Sequence, residues 1–356
     1  MKKSTWVTAL LIAAVTAVGA FGVTHGNAAP ALSSSLTGDS DLAAEAAPYL
    51  SGVRDRVSIC VWEDGRFTSA GFGADANTRY EIGSITKTFT GMLLADAVAR
   101  DEVDIDDPVG RYLPLDDAPV ASVTLRELAA HTSGLGEWGD DERDDTWMRW
   151  WVEDIRGDTI HNLDLDLEAL YDRARTDSLS TRGEYRYSNI GFALLGHALA
   201  EAAGISYDTL LQERVLGPGG MSDSGLTSDT DRNAQRGYRA DGRAAPPWRL
   251  GAYAPSGGVY STVTDLCQYA VRLIDTHESD AAETDVDVLG TVMAGTDLGW
   301  DVSEEGDSFV LSKTGQTGGF QSVVALAPSA SRVVVALTNT ANDLDPLVQA
   351  LLEGGR

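Results

Sequence analysis

The pattern of apolar and polar positions predicts strands near both ends of the chain and helices through its middle. Short runs rich in β-branched and aromatic residues predict strands. These runs cover residues 57–62, 67–72, 299–302, 308–313, 321–327 and 332–338, and the first two form a hairpin. Apolar residues spaced three and four positions apart predict helices. They cover residues 42–49, 85–98, 125–131, 167–174, 190–203, 207–215, 261–274 and 344–352.

This order of elements predicts an α+β fold. Strands at opposite ends of a chain most economically share one antiparallel sheet, with the terminal helices on one of its faces. We expect a sheet lobe formed by residues 42–80 and 246–356 and a mostly helical lobe formed by residues 81–245. A cleft between the lobes is then the default place for a ligand. Residues 29–41 are interpreted as a flexible lead-in.

The first residues have the pattern of an export signal. Met1-Lys2-Lys3 is basic, residues 6–23 are apolar, and small residues follow at 26–31. This pattern predicts a signal peptide over residues 1–28, cleaved near Ala28, and a secreted or periplasmic protein with no membrane contact after cleavage. The alternative is an uncleaved anchor, since the apolar run is about long enough to span a bilayer.

The composition is strongly acidic, with 54 Asp and Glu against 27 Lys and Arg and a net charge of −27. Such a surface repels nucleic acid and anionic lipid, so we expect neither as a partner, and we expect a monomer. Only four of the basic residues are lysines, and two of them lie in the leader. Because Arg does not lose its proton in proteins and Lys can, Lys87 and Lys313 suggest places where Arg would not work. The alternative is that genome composition favours Arg and the two lysines are leftovers.

One of these lysines lies one helical turn from a serine. The helix that starts at residue 85 is predicted to be amphipathic, with one apolar stripe that includes Phe89 and Leu93. Ser84 and Lys87 at i and i+3 lie on the same face of its first turn. A desolvated lysine can take the proton of a serine and make it a nucleophile. The helix N-terminus supplies N–H groups that suit an oxyanion.

Two further polar stretches lie where buried faces are expected. Tyr187 and Asn189 are two apart in an extended segment, so their side chains point the same way. Lys313-Thr314-Gly315 joins two predicted strands, and Gly315 would let a substrate lie close to the strand backbone. A competing nucleophile is Ser256, but a Ser-His-Asp site needs a later histidine, and only His277 follows. Ser256 is therefore interpreted as a turn residue.

Three other features keep two interpretations each. Cys60 and Cys267 are either bridged or two small core residues. Four tryptophans near 136–160 either line a cleft or form a local core; they are Trp138, Trp147, Trp150 and Trp151. Residues 162–168 alternate acids like a calcium loop but lack its central glycine, so a solvated face is favoured. No Cys and His spacing fits a zinc site, and neither a metal nor a cofactor is expected.

The three polar stretches together resemble motifs of the serine β-lactamase and DD-peptidase superfamily. They are Ser84-Ile85-Thr86-Lys87, Tyr187-Ser188-Asn189 and Lys313-Thr314-Gly315, in the family's order and spacing. The class C β-lactamases and related D-alanyl-D-alanine carboxypeptidases are the most similar branch. The resemblance implies a β-lactamase/transpeptidase-like fold and a β-lactam or D-Ala-D-Ala-like substrate, small molecule or peptide. The turn before Tyr187 departs from the family, since it reads Arg182-Gly183.

The resemblance also implies a role for each residue. Ser84 would attack a carbonyl carbon, and Lys87 and Tyr187 would share the role of base, the phenolate being favoured by two nearby lysines. Tyr187 would then return a proton to the leaving nitrogen, while Asn189 would bind Lys87 and the substrate amide. No Glu-x-x-x-Asn stretch follows the second motif. That absence leaves Tyr187 as the group that activates water.

On the other side of the predicted cleft, Lys313 and Thr314 would bind the substrate carboxylate, next to Gly315. The backbone N–H groups of Ser84 and Gln316 would form the oxyanion hole. The leading hypothesis is a class C-like β-lactamase that works through an acyl-enzyme. Its alternatives are a D-alanyl-D-alanine carboxypeptidase, D-aminopeptidase or esterase of the same fold, and a penicillin-binding sensor that is acylated without turnover.

Overall fold

A computed structural model describes residues 29–139, 165–226, 235–278, 286–293, 295–305 and 308–354. The strands are β1 (Leu36–Gly38), β2 (Val57–Glu63), β3 (Arg66–Phe72), β4 (Tyr80–Glu81), β5 (Gly225–Leu226), β6 (Gly237–Tyr238), β7 (Ala244–Ala245), β8 (Val259–Ser261), β9 (Asp301–Glu305), β10 (Ser308–Gln316), β11 (Gln321–Ala327) and β12 (Arg332–Thr338). The helices are α1 (Ser40–Ala46), α2 (Thr86–Ala99), α3 (Leu125–Ala129), α4 (Leu167–Thr176), α5 (Asn189–Ala203), α6 (Tyr207–Leu211), α7 (Ala254–Gly257), α8 (Val263–Glu278), α9 (Val288–Met293) and α10 (Asp345–Glu353).

Strands from both ends of the chain form one sheet, as predicted. Within the described residues its order is β1-β3-β2-β12-β11-β10-β9, and every neighbouring pair is antiparallel. The central contact joins β2, near the start, to β12, near the end, in a register that pairs Cys60 with Val335. The α+β prediction with an antiparallel sheet is therefore confirmed.

The sheet buries both of its faces. Side chains alternate along a strand, so Ile59 and Val334 face one side while Cys60 and Val335 face the other. The first side packs against the terminal helices α1 and α10. The second side belongs to the larger core cluster, which includes residues of α2, α5 and α8. Burial of apolar surface on two faces holds the sheet, including the strand that carries Lys313, between these two groups of helices.

The predicted amphipathic character of α2 is wrong. Ten of its residues are buried and they surround the helix: Thr86, Lys87, Thr88, Phe89, Thr90, Gly91, Leu93, Leu94, Ala95 and Ala97. Its polar side chains are satisfied inside the protein, since Thr88 Oγ1 donates to the Ile85 carbonyl and Thr90 Oγ1 to the Pro255 carbonyl. A buried hydroxyl costs little when it is hydrogen-bonded, so threonines do not mark an exposed face here.

The lead-in predicted over residues 29–41 contains ordered structure. Leu36–Gly38 forms the edge strand β1, which pairs with β3. Thr37 Oγ1 donates to the Ala74 carbonyl at 2.6 Å, and Asp39 caps α1 through two backbone N–H groups. The flexible interpretation is therefore wrong for this segment, because an Asp N-cap and a Thr hydrogen bond anchor a stretch whose composition alone is typical of a linker.

Cys60 and Cys267 form a disulfide between β2 and α8, with Cα atoms 6.6 Å apart. Of the two interpretations of this pair, the structure shows the bridge. In the described part of the chain no one helix has the length and apolar character to cross a bilayer. Helix α5 and residues 207–216 have them only when taken together, and the two segments are bent by 83° relative to each other. The predicted leader, Trp147, Trp150, Trp151 and residues 162–164 lie outside the described residues.

Candidate active site

Ser84 lies in a short 3₁₀ turn, Gly83–Ile85, that leads directly into α2. Its Oγ is 3.2 Å from Lys87 Nζ and 2.5 Å from the hydroxyl of Tyr187. The turn holds Ser84 where the strand β4 ends and the helix begins. The structure thus brings the three candidate catalytic residues Ser84, Lys87 and Tyr187 into one hydrogen-bonded group.

Lys87 is completely buried, and two oxygen acceptors hold its amine. Nζ donates to Asn189 Oδ1 and to the Ser256 carbonyl, each at 2.7 Å. Burial, together with the positive charge of Lys313, holds the pKa of Lys87 well below its ordinary value. A neutral amine has two N–H donors and one lone pair. Because the carbonyl oxygens take both donors, the lone pair is left for the proton of Ser84.

Tyr187 does not have the electrostatics that the sequence analysis expected. Burial raises the pKa of its phenol, and the hydrogen bond between Tyr187 and Ser84 offsets only part of that effect. Lys87 and Lys313 lie over its ring, at 4.8 and 5.7 Å from the ring centre. The raised pKa favours the neutral phenol, in contrast to the expected phenolate.

His131 forms the wall behind Tyr187. Its ring centre lies 4.6 Å from that of Tyr187, and its Nδ1 accepts the backbone N–H of Ser188 at 3.0 Å. Burial and the two lysines lower its pKa to about 2, so the ring is neutral. From sequence, residue 131 is the last residue of the helix predicted over 125–131. Its contact with the Tyr187–Asn189 segment makes it a positioning residue for that segment.

The end of β10 faces Ser84 across the cleft, but its polar groups already have partners. Lys313 Nζ pairs with both carboxylate oxygens of Asp301, at 3.1 and 3.2 Å. Thr314 Oγ1 donates to Asp345 Oδ1 at 3.0 Å. The two residues proposed to bind a substrate carboxylate are therefore each engaged by a carboxylate of the protein itself.

Gly315 and Gln316 place this strand end against the Ser84 turn. A Cβ at Gly315 would collide with the Ile82 carbonyl, so the strand and the segment before Ser84 approach backbone to backbone. The glycine thus serves this internal contact, whereas the sequence analysis assigned it to a close approach of substrate. The main chain of Gln316 lies against Gly83, the position that a shared oxyanion hole with Ser84 requires.

An open cleft of about 770 Å³ surrounds these groups. It is lined by Ser84, Tyr187, Asn189, Lys313, Thr314 and Gln316, together with Glu137, Trp138, Tyr185, Trp248 and Asp301. Trp138 is the described member of the tryptophan cluster, and it lines the cleft while its carbonyl accepts the Tyr253 hydroxyl at 2.7 Å. The cleft is large enough for a small molecule or the end of a peptide.

A comparison of the sequence with known families agrees with this geometry. The sequence profile of the beta-lactamase family matches residues 43–352, which is most of the chain. This chain belongs to the beta-lactamase family. All three of its polar motifs lie inside the matched region.

Individual relatives are distant. A beta-lactamase-like protein of Homo sapiens is 32% identical over 274 residues, which are 70% of this chain and 52% of the human protein. The D-alanyl-D-alanine-carboxypeptidase/endopeptidase AmpH of Escherichia coli K12 is 28% identical over 272 residues, 69% of this chain and 67% of that one. The chain thus spans about half the length of the human relative.

The fold is shared with solved members of the family. The crystal structure of a beta-lactamase/D-alanine carboxypeptidase from Pseudomonas syringae aligns with a TM-score of 0.74 and 18% identity. The alignment covers 88% of this chain and 98% of that one. This confirms the predicted β-lactamase/transpeptidase-like fold, while the identity is too low to carry over an activity.

Three contributors to the site of this beta-lactamase-family protein were missed from sequence. The carbonyl of Ser256, a residue interpreted as part of a turn, accepts from Lys87, and a backbone oxygen leaves no trace in residue identity. Glu137 Oε1 accepts from Asn189 Nδ2 at 3.3 Å. Asp301 follows Leu298-Gly299-Trp300 directly, so a charged residue inside the strand predicted over 299–302 was a signal that could have found it.

Proposed function

We propose that this protein is an active-site-serine hydrolase that forms an acyl-enzyme on Ser84. One observation carries the proposal: Ser84 Oγ lies within hydrogen-bonding distance of both Lys87 Nζ and the Tyr187 hydroxyl. A nucleophile needs a base in its neutral form, and the lowered pKa of Lys87 favours that form. Membership of the beta-lactamase family supports the same reaction class.

In the acylation step, Ser84 Oγ attacks the substrate carbonyl carbon while its proton moves to the Lys87 amine. The negative charge on the carbonyl oxygen is stabilised by the backbone N–H groups of Ser84 and Gln316. Collapse of the tetrahedral intermediate breaks the bond to the leaving nitrogen or oxygen. Tyr187 donates its phenolic proton to that leaving atom and regains a proton from Lys87.

The second step restores the enzyme. A water molecule enters where the leaving group was and attacks the acyl carbon. Its proton passes to the Tyr187 and Lys87 pair, the bond between Ser84 Oγ and the acyl carbon breaks, and Ser84 regains its proton. Asn189 keeps the Lys87 amine oriented through both states, because its own Nδ2 is anchored on Glu137.

Mass spectrometry and turnover together test this reaction. After brief exposure to a penicillin or a reactive thioester, the wild-type protein is expected to carry a transient acyl group on Ser84 and to release product repeatedly. The Ser84→Ala variant should do neither. A stable stoichiometric adduct without turnover would instead support the acylated sensor, and an unmodified Ser84 with every substrate would contradict the proposal.

The substrate is the finer part of the proposal. The class C-like β-lactamase hypothesis is supported by the motifs and by structural neighbours named as β-lactamases. Peptidase action on D-alanyl-D-alanine ends is supported by the name of the AmpH relative, and an esterase or D-aminopeptidase uses the same two steps. Rates on a chromogenic cephalosporin, a D-Ala-D-Ala peptide and a simple ester compare the three. Faster cleavage of the peptide or ester would remove β-lactamase as the main activity.

We propose also that the protein is exported and acts as a monomer on a small molecule or peptide. The basic, apolar and small-residue pattern of residues 1–28 supports export. Mass spectrometry of the protein recovered from outside the cytoplasm is expected to show a chain that starts near residue 29. An intact Met1 in a membrane fraction would support the uncleaved anchor instead.

A further inference from the structure

The carboxylate of Asp301 forms an ion pair with the ammonium of Lys313 inside the cleft. The Lys313 side chain is only 5% exposed and its ion pair with Asp301 is two-pronged, whereas the Asp301 side chain remains 58% exposed. Asp301 begins β9, the strand next to β10, and is the register partner of Ser312, the residue before Lys313. A substrate that enters the cleft therefore meets a neutral ion pair rather than a free cation.

The neighbouring hydroxyl is occupied in the same way. Thr314 Oγ1 donates its proton to Asp345, the first residue of α10. The hydroxyl oxygen can therefore only accept a hydrogen bond from a ligand. Burial and the charges of Asp343 and Asp301 raise the pKa of Asp345, which places Asp301 and Asp345 within electrostatic reach of each other. Asp301 thus lines the cleft directly, and Asp345 acts on the cleft through the hydroxyl of Thr314.

We propose that Asp301 and Asp345 are specificity-determining residues that exclude a carboxylate from the Lys313–Thr314 side of the cleft. The favoured substrates are then acyl compounds, esters or amides, that present an uncharged group there. This inference rests on the proposed acyl-enzyme reaction at Ser84 and concerns only which substrates reach it. It replaces the expectation that Lys313 and Thr314 bind a substrate carboxylate.

A substrate carboxylate and an uncharged ester or amide differ in what they must displace at Lys313. To bind Lys313, a substrate carboxylate must compete with a carboxylate that is already in place, and it must stay close to the charge of Asp345. Losing a charge-assisted hydrogen bond to an internal partner is expected to discriminate against the carboxylate by about tenfold or more. An ester or primary amide has no net charge to place beside Asp301 and forgoes no ion pair.

A matched pair of substrates tests the inference. One is an acyl-glycyl thioester whose thiol leaving group ends in a carboxylate, and the other is its methyl ester. Thiol release gives kcat/KM for each, and the wild-type protein is expected to favour the methyl ester. In Asp301→Asn and in Asp345→Asn, the preference should fall by about tenfold through faster reaction of the carboxylate form. The ratio cancels any effect of a variant that acts on both substrates through Lys87.

The exposed Glu213, which does not line the cleft, provides the control. Glu213→Gln removes the same charge and should leave the ratio unchanged. A wild-type preference for the carboxylate form, or an unchanged ratio in both Asp301→Asn and Asp345→Asn, would overturn the inference. Acylation of Ser84 would in that case still support the proposed function. Failure of both thioesters and of a penicillin to acylate Ser84 would instead reject the proposed function and this inference with it.

Discussion

At the scale of single residues, the site depends on which group can give up a proton. The Lys87 amine is surrounded by Lys313, Glu137 and Asp301 as charged neighbours and by the neutral ring of His131. Burial and Lys313 lower its pKa, while the two carboxylates raise it by less. In the proposed reaction, lysine serves at this position through its proton chemistry rather than through its charge.

The pH profile is the first prediction. A general base works when it is unprotonated, so kcat/KM should rise with pH as Lys87 loses its proton, with a midpoint well below the ordinary value of lysine. His131, whose pKa is about 2, does not account for this limb. In Asp301→Asn the limb should move to lower pH, because a charge that raises the pKa of Lys87 is removed. A limb that stays in place would show that another group is titrating.

The second prediction separates the two lysines. Lys87→Arg is expected to lose about 10²–10⁴-fold in kcat, nearly as much as Ser84→Ala, because Arg keeps its proton and its larger head does not fit between Asn189 and the Ser256 carbonyl. Lys313→Arg should keep a substantial part of the activity, since Arg can also pair with Asp301. Steady-state rates on one thioester measure both. Equal, near-complete inactivation would give Lys313 a proton-transfer or strict geometric role.

At the scale of helices and strands, the sequence predicted elements well and their surroundings less well. The strands 321–327 and 332–338 were predicted with the bounds that the structure has, because β-branched runs between turn residues determine them locally. The burial of α2 on all sides was not predictable from its own residues. It depends on Ser256 and Leu298, which are more than 160 positions away and meet the helix only in the folded chain.

The candidate site divides in the same way. Ser84, Lys87, Tyr187 and Asn189 were identified because their side chains carry the chemistry and their spacing is local or familiar. Asp301 and Asp345 were missed as partners of Lys313 and Thr314 because they lie on β9 and at the start of α10, which meet β10 only in the folded chain. The residue type predicts the chemistry that a side chain is capable of. Its hydrogen-bonding partner in the folded chain determines which of those roles it performs.

The third prediction concerns the disulfide between β2 and α8. Cys60 and Cys267 are 207 positions apart, so the bridge removes considerable freedom from the unfolded chain. The double variant Cys60→Ala/Cys267→Ala should lose about 2–4 kcal/mol of unfolding free energy. Urea denaturation with and without a reductant measures this loss. The wild type should shift when reduced and the double variant should not; coincident midpoints for all samples would show that the bridge contributes nothing.

At the scale of the whole molecule, charge opposes compaction. A net charge of −27 makes the folded surface repel itself, and this repulsion is greater in the folded state than in the expanded chain. Local ion pairs offset little of it, since pairs such as Arg111–Asp107, with Arg111 63% exposed, are screened by solvent. We therefore expect the protein to gain stability from salt.

The fourth prediction measures that gain. Raising NaCl from about 0.01 M to about 1 M shortens the screening length from about 30 Å to about 3 Å, so distant acidic groups stop repelling one another. The midpoint of thermal unfolding at pH 7 should rise. Salt screening removes more repulsion between acidic groups than it removes attraction within the exposed ion pairs. The same series at pH 4.3, the calculated isoelectric point, is the control, since the net charge is then near zero and most of the gain should vanish. An equal gain at both pH values would assign the effect to salt acting on apolar burial rather than on charge.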